Sequence, residues 1–337
     1  MKLSDFDYNL PKELIAQHPA KERGASRLLV LDRKKKTISH RKFSDIADYL
    51  LPNDLVILNN TKVLPARIFG IREKTGGKLE FLLVKKEENN VFSVMIRPSK
   101  KFVENETILF KNSNGGFKGR MVDRNKIAFD LENIDDVYKI GTMPLPPYIK
   151  RESDILDFQR YQTVFAEESG SIAAPTAGLH FTKRVLADII GKGVDINYVT
   201  LHVGIGTFKP VKTEDVNQHI MHKEYFSVEA DVLARVVVAK ENKNRVFAVG
   251  TTTCRSLEAL ASQKIQSSFS GWTDLFILPG YKFKAVDSLL TNFHLPKTTL
   301  FMLVSAFAGD ELIKQAYKEA IDQKYRFYSY GDAMLIL

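Results

Sequence analysis

Between residues 62 and 150 apolar and polar positions alternate in short runs: ARIFGIRE, KLEFLLVKK, VFSVMIRP, ETILF, FKGRMVD and KIAFDLE. Turn-forming pairs separate them, at Gly76-Gly77, Asn89-Asn90 and Asn114-Gly115-Gly116. A period of two puts every second side chain on one face of a strand, and no helical period competes with it. Six such runs closed by turns predict a small antiparallel β-barrel or sandwich. The stretch ends at GTMPLPPYIKR, where Pro144, Pro146 and Pro147 lack the N–H that a sheet ladder needs. That suits a domain boundary.

On either side the texture changes to helix and strand in alternation. SRLLVLD (26–32) is a continuous apolar run, as a buried strand would be, and the basic run 33–36 sits in a hairpin turn after it. FSDIADYL (43–50) has helical spacing with Ser44 as a plausible cap, and NDLVILNN (53–60) is strand-like. Beyond 151, helices are expected over 154–165, FTKRVLADIIGKG (181–193, with Gly193 as a left-handed stop), DVLARVVVAKENKN, CRSLEALASQ and ELIKQAYKEAIDQ (311–323). Strands are expected at VDINYVTLHVG (194–204), RVFAVGTTT, TDLFILPG and the final AMLIL. The pattern predicts an α/β body, a mixed sheet with helices, built from 1–61 and 151–337, with the β-barrel inserted at 62–150.

Charge sharpens the division. The 337 residues carry 49 Lys and Arg against 40 Asp and Glu, a net of +9. The insertion holds 17 basic and 11 acidic residues, so +6 of that total sits there and +3 on the rest. Such a surface is either a set of solvated strand faces or a face that follows phosphates. The single cysteine, Cys254, excludes an internal disulfide, a Cys-rich zinc site and a cysteine-held iron–sulfur cluster, and fits a reducing compartment. The opening MKLSDFDYNLPKEL has no apolar core of a secretory signal, and the longest apolar stretch, 300–308, is about half of the ~20 residues a bilayer span requires. A soluble cytoplasmic protein is expected.

Standard cofactor loops are missing. GIGTF (204–208) has two of the three glycines of a dinucleotide loop, and no Walker-type loop is present. His219, His222 and Glu224 come close to metal-ligand spacing, but there is no helix-borne His-Glu-x-x-His and no third His nearby. His222 and Glu224 read better as an acid–base pair. Cys254 at a predicted helix start would have a lowered pKa as a nucleophile, yet a free cysteine is more often a small buried apolar group. Four polar loops at strand ends are more informative. AAPTAGLHFT (173–182) carries Thr176 and His180, TLHVGIGTFKPV (200–211) carries His202 and Thr207, VGTTTCRSLE (249–258) carries Thr252 and Arg255, and LTNFHLPKTTLFMLVSAFAG (290–309) carries Asn292 and His294. Ligands in α/β sheets gather at such ends, and free N–H groups at helix starts attract anions. Any one loop alone is weak, since a lone His usually satisfies a local hydrogen bond.

Together the stretches NNTKVLPAR (59–67), GTMPLPPYI (141–149), RYQTVFAEESGSIAAPTAGLHFT (160–182), HVGIGTFKPV (202–211), HIMHKEYF (219–226), GTTTCRSLE (250–258), TNFHLPKTTLFMLVSAFAG (291–309) and YRFYSYGDAMLI (325–336) resemble the S-adenosylmethionine:tRNA ribosyltransferase-isomerase family of queuosine biosynthesis. The likeness runs end to end in the same order and includes QHPAKERGASRLLVLD (17–32); Lys62 stands where Arg is common. It implies an α/β body with an inserted barrel. It also implies that S-adenosylmethionine gives up its ribosyl unit to the aminomethyl group of 7-aminomethyl-7-deazaguanine at the tRNA wobble position, forming epoxyqueuosine-tRNA, adenine and methionine. S-adenosylmethionine is then a consumed substrate, and no metal or other cofactor is called for. The chemistry needs a base for a carbon-bound proton and an acid for departing adenine. On this resemblance His180, His202, His222, Glu224 and His294, with Asp274 behind them, are the catalytic candidates. Thr176, Thr207, Thr252, Arg255 and Asn292 are candidates for binding the donor. Lys62, Arg67 and Arg97 are candidates for gripping tRNA, and a monomer is expected. Three rivals fit less well. An ordinary methyltransferase would show a Gly-rich loop after its first strand. A non-catalytic RNA-binding protein leaves the polar loops unexplained. A hydrolase would show a nucleophile elbow.

Overall fold

The computed structural model describes residues 1–98, 102–112, 115–204, 206, 211–261 and 267–337. The chain opens with two short 3₁₀ turns, and β1 (Arg27–Asp32) and β2 (Thr37–Lys42) then form a hairpin. A 3₁₀ helix over Phe43–Tyr49 follows; Lys42 is its cap and Ser44 instead donates to Asp45 at 3.0 Å, so the expected Ser44 cap is not made. After β3 (Leu55–Asn59) the chain leaves the body through β4 (Thr61–Val63). β5 (Arg67–Arg72), β6 (Lys78–Lys86), β7 (Val91–Arg97), β8 (Thr107–Asn112), β9 (Gly115–Asp123) and β10 (Lys126–Phe129) close into an antiparallel barrel of order β10-β7-β6-β5-β8-β9. The fold class expected from the alternation is thus present, as a barrel rather than a sandwich.

The barrel interior shows why. Leu79, Phe81 and Leu83 from β6 face Phe92 and Val94 from β7, and Phe110 packs edge-on against Phe81 at 5.4 Å. Closure leaves no unpaired edge. Entry and exit strands meet at a narrow neck. Arg67 donates its N–H to the Thr142 carbonyl at 3.2 Å and accepts from the Thr142 N–H at 2.8 Å. Gly141 lies directly against the Pro65 carbonyl, where any side chain would collide.

The chain returns through β11 (Glu168–Ser171), which pairs in parallel with β4. β12 (Asp195–Leu201), β13 (Glu224–Val228), β14 (Val246–Val249), β15 (Phe269–Thr273), β16 (Ser288–Asn292) and β17 (Ala333–Ile336) complete a nine-stranded sheet of order β15-β13-β12-β3-β14-β16-β17-β1-β2. Its central strands β12, β3, β14 and β16 run parallel. Both faces are covered. Leu55, Ile57 and Ala248 belong to one core; Val56, Leu58, Phe247 and Val249 belong to the other, with Val185 and Ile189 of α2 (Lys183–Gly191). Strands buried on both faces read as unbroken apolar runs, which is what β1 and β3 show.

Two expected elements differ. The helix α1 covers only Ile155–Arg160, because Tyr161 turns inward to pack on Tyr330 at 5.8 Å. TDLFILPG is not a strand: β15 ends at Thr273 opposite Glu224, the first residue of β13, so nothing remains to pair with. The other helices are α3 (Ala230–Glu241), α4 (Thr251–Leu260), α5 (Thr299–Ala308) and α6 (Asp310–Asp322). Among the described residues no helix is long and apolar enough to cross a membrane.

Candidate active site

An open cleft lies beyond the carboxyl ends of β12, β14 and β16. The loop after each strand contributes to it: Val203, then Gly250 to Thr252, then Thr291 to His294. Residues 173–177 form the facing wall. Gly250 turns from β14 into α4 with φ +90°, a backbone state that a side chain would strain. No side chain caps α4, so its first N–H groups have no side-chain acceptor; Gly250, Thr251 and Thr252 line the cleft, and Thr252 Oγ1 accepts from Asn59 Nδ2 at 3.2 Å.

Asn292 is buried at the end of β16. Its Nδ2 donates to His180 Nε2 at 3.1 Å and to the Tyr328 carbonyl at 3.1 Å. Those partners fix the amide orientation and leave Oδ1 buried without a hydrogen-bond partner. They also fix the imidazole. His180 Nε2 accepts, so Nδ1 carries the proton and points at Ser26 Oγ, 2.7 Å away. Burial lowers the His180 pKa to about 4, and the ring stacks on Phe43 at 5.1 Å. It is a neutral, fully engaged group that holds Asn292.

His294 lines the cleft, with Nε2 2.9 Å from Thr291 Oγ1. Burial lowers its pKa to about 3, so its imidazole is uncharged at neutral pH. Three tyrosines, Tyr148, Tyr161 and Tyr328, form an aromatic wall. Tyr148 and Tyr328 cross edge-on with centroids 3.8 Å apart, and the Tyr148 hydroxyl pairs with Ser329 Oγ. Burial raises the pKa of all three, which keeps the wall uncharged.

Beneath the cleft a buried ion pair joins α4 to β13. Arg255 Nη1 donates to Glu224 Oε2, Arg255 Nε donates to the Leu275 carbonyl at 3.0 Å, and Glu224 Oε1 accepts from the Gly204 N–H at 3.0 Å. Arg255 Nη2 is buried with no acceptor. The pair therefore anchors the loop that follows β12.

The structure brings Thr176, Thr252, Asn292 and His294 onto one cleft, with His180 one hydrogen bond behind. The other expected residues stand apart. His202 bonds Thr61 Oγ1 at 2.8 Å and stacks on Tyr225; burial lowers its pKa. His222 is exposed beside Gly206, and Asp274 is exposed just past β15. Thr207 lies outside the described residues. Lys62 on β4 and Arg97 at the end of β7 are exposed. Arg67 is turned inward, 3.1 Å from Glu80 and donating to the Leu145 carbonyl at 2.8 Å. Cys254 is fully buried and burial raises its pKa, which removes the nucleophile reading. Among the described residues no three His, Cys, Asp or Glu side chains form a group able to hold a metal ion. The tyrosine wall has no signal in the sequence: Tyr148 stands in the Pro-rich boundary stretch and Tyr328 in YRFYSYGDAMLI, where nothing along the chain marks it as facing a site.

Residues 3–336 match the family model described as queuosine biosynthesis protein. Curated relatives named S-adenosylmethionine:tRNA ribosyltransferase-isomerase are 51% identical in a Sulfurihydrogenibium species and 48% identical in Acetivibrio thermocellus, each covering 100% of both chains. The crystal structure of S-adenosylmethionine tRNA ribosyltransferase from Thermotoga maritima is similar over 99% of this chain and 100% of that one, at 36% identity and a TM-score of 0.59.

Proposed function

The chain belongs to the S-adenosylmethionine:tRNA ribosyltransferase-isomerases of queuosine biosynthesis, and from that premise we propose that the cleft beyond β12, β14 and β16 holds the donor and performs the transfer. The acceptor is the aminomethyl group of 7-aminomethyl-7-deazaguanine at the tRNA wobble position. The products are epoxyqueuosine-tRNA, adenine and methionine. The sulfonium of S-adenosylmethionine acidifies the adjacent ribose carbon and makes methionine a good leaving group, so it is spent as a substrate and no further cofactor takes part.

The carrying observation is Asn292, whose amide nitrogen is used up and whose buried oxygen has no partner. An unpaired buried acceptor costs about 1–3 kcal/mol, which a donor N–H or O–H on the substrate relieves. Thr176, Thr251 and Thr252 offer hydroxyls to the ribose. The tyrosine wall suits a flat base and a sulfonium cation, both of which favour aromatic faces. His294 is the acid–base candidate that lines the cleft; burial keeps it uncharged and makes it a weak base at neutral pH, so it takes the carbon proton only from a donor that the sulfonium has already acidified. The Glu224–Arg255 pair positions residues 203–204. Exposed Lys62 on β4, beside the neck, and exposed Arg97 on barrel strand β7 are the basic residues that grip the anticodon stem.

The test is a product assay with S-adenosylmethionine and tRNA bearing the aminomethyl base. Adenine and an epoxyqueuosine nucleoside should appear together, and Asn292→Ala should slow adenine release about 100-fold. S-adenosylhomocysteine in place of adenine would indicate methyl transfer and refute the reading.

A further inference from the structure

Behind His180 a second, smaller pocket opens to solvent, and three guanidiniums line it: Arg23, Arg160 at the end of α1, and Arg326 in the segment between α6 and β17. Two of them have no carboxylate within 4 Å among the described residues. Arg23 donates to the carbonyls of Leu179 at 3.1 Å and Gln159 at 2.7 Å. Arg160 donates to the carbonyls of Ala20 at 2.8 Å and Lys21 at 3.4 Å. Arg326 has Asp332 at 3.6 Å, a carboxylate that Arg27 also approaches at 3.4 Å. Glu22 lines the cavity but is exposed and forms no ion pair with Arg23 or Arg160.

Carbonyl contacts hold Arg23 and Arg160 in place without neutralising them, while Arg326 shares the Asp332 carboxylate with Arg27. A guanidinium has five N–H groups, so Arg23 and Arg160 keep donors free after those bonds. Burial lowers the pKa of both, and the neighbouring arginine adds to it in each case, Arg160 for Arg23 and Arg326 for Arg160. A clamp for carbonyls needs donors but not charge. Three like charges around one cavity are a fixed field for an anion, and the planar fork of arginine matches two oxygens of one phosphate.

The cavity adjoins the cleft. Ser329 lines both, and His180 on the cavity side is bonded to Asn292 on the cleft side. A nucleotide whose base is splayed into the cleft carries its phosphate within reach of a neighbouring pocket. We propose that Arg23, Arg160 and Arg326 form an oxyanion pocket for the tRNA backbone phosphate next to the modified nucleotide. This rests on the cleft being the site of transfer. The other oxyanion at hand is the carboxylate of S-adenosylmethionine, and the experiment separates the two.

Binding of the tRNA anticodon stem-loop to the full chain is measured from 50 to 300 mM KCl, with the KM for S-adenosylmethionine measured alongside. Arg160→Gln should weaken RNA binding about 10-fold and reduce the slope of log K against log salt by about 0.7, with the KM for S-adenosylmethionine unchanged. Arg160→Lys keeps the charge and should restore the slope. A structural clamp would leave the slope alone in the Gln variant, or would fail equally in the Lys variant; either result overturns the pocket. A raised KM for S-adenosylmethionine with unchanged RNA binding assigns it to the carboxylate and also overturns the proposal. A wild-type protein that binds the stem-loop but releases no adenine defeats the reading of the cleft instead, and does so independently of the variants.

Discussion

Between residues 62 and 150 no polar side chain is fully buried among the described residues, whereas Thr253, Ser256, Glu224, Arg255, Thr291, Asn292, His180 and His294 are all buried around or under the cleft. The barrel keeps its charges at the surface, where Lys118 pairs with Glu73 at 2.8 Å and Lys126 with Glu87 at 2.7 Å. Its nearest approach to a buried pair is Arg72 with Glu106, which is partly covered. Phenylalanine edges fill its interior. Burying polar groups costs free energy unless each is paired, and the barrel avoids that cost where the cleft accepts it. On the cleft Asn292 Oδ1 and the Tyr161 hydroxyl are not even paired, and beneath it neither is Arg255 Nη2. Other unpaired buried atoms are scattered over the molecule, Arg67 Nε on the barrel among them, but Asn292 Oδ1 is an unpaired acceptor in a cleft large enough to admit a ligand.

The largest expected effect on stability comes from breaking the cleft's ion pair. Arg255→Ala strands a buried Glu224 carboxylate and should cost about 3–5 kcal/mol in urea unfolding. Replacing both partners with apolar residues of similar volume should cost less than either single change. Lys118→Ala, which breaks an exposed barrel pair, should leave the urea midpoint in place. Equal midpoints for Arg255→Ala and Lys118→Ala would erase the distinction between the two regions.

The same contrast governs what was legible in the sequence. Barrel strands announce themselves, because buried Leu79, Phe81 and Leu83 recur at every second position of β6. The central body strands are as plain, since Leu55–Asn59 is buried throughout. Thr176, Thr252, Asn292 and His294 were found by their position in loops at strand ends. Their division of labour was not, because nothing along the chain tells that Asn292 holds His180 across 112 residues. Tyr148 and Arg23 were equally silent: one reads as core and the other as surface charge, and only packing brings each to a cavity. TDLFILPG is apolar yet not a strand, because a run without a partner strand stays a loop, here half-buried with Ile277 as its anchor.

Acid should separate the two regions next. Folded His180 and His294 have pKa values lowered by burial to about 4 and about 3, against 6.5 for an exposed imidazole. Below pH 6.5 the unfolded chain therefore binds protons that the folded protein refuses, so stability falls as pH drops toward 4. The slope is up to about 1.4 kcal/mol per pH unit for each histidine. None of the seven histidines lies between 62 and 150. Hydrogen exchange from pH 7 to pH 5 should show protection lost first in peptides around 176–182 and 288–295. Barrel peptides opening first would show that the histidines do not set the acid limit.

The smallest effect concerns whether the barrel touches RNA at all. Its surplus of +6 is a statement about composition, and Arg67, one of its basic residues, is spent on Glu80 and the Leu145 carbonyl. Lys62 and Arg97 remain exposed, the first on β4 near the neck and the second at the end of β7. Surface charges that follow a phosphate backbone act mainly through counterion release, so each reversal should change stem-loop affinity only several-fold and alter the salt slope by about 1. Independent contacts add, so if the barrel acts apart from the arginine pocket, Arg97→Glu should weaken binding by the same factor with or without Arg160→Gln. If both reversals leave affinity and slope unchanged, the barrel's charge is a solvated face and the body alone holds the tRNA.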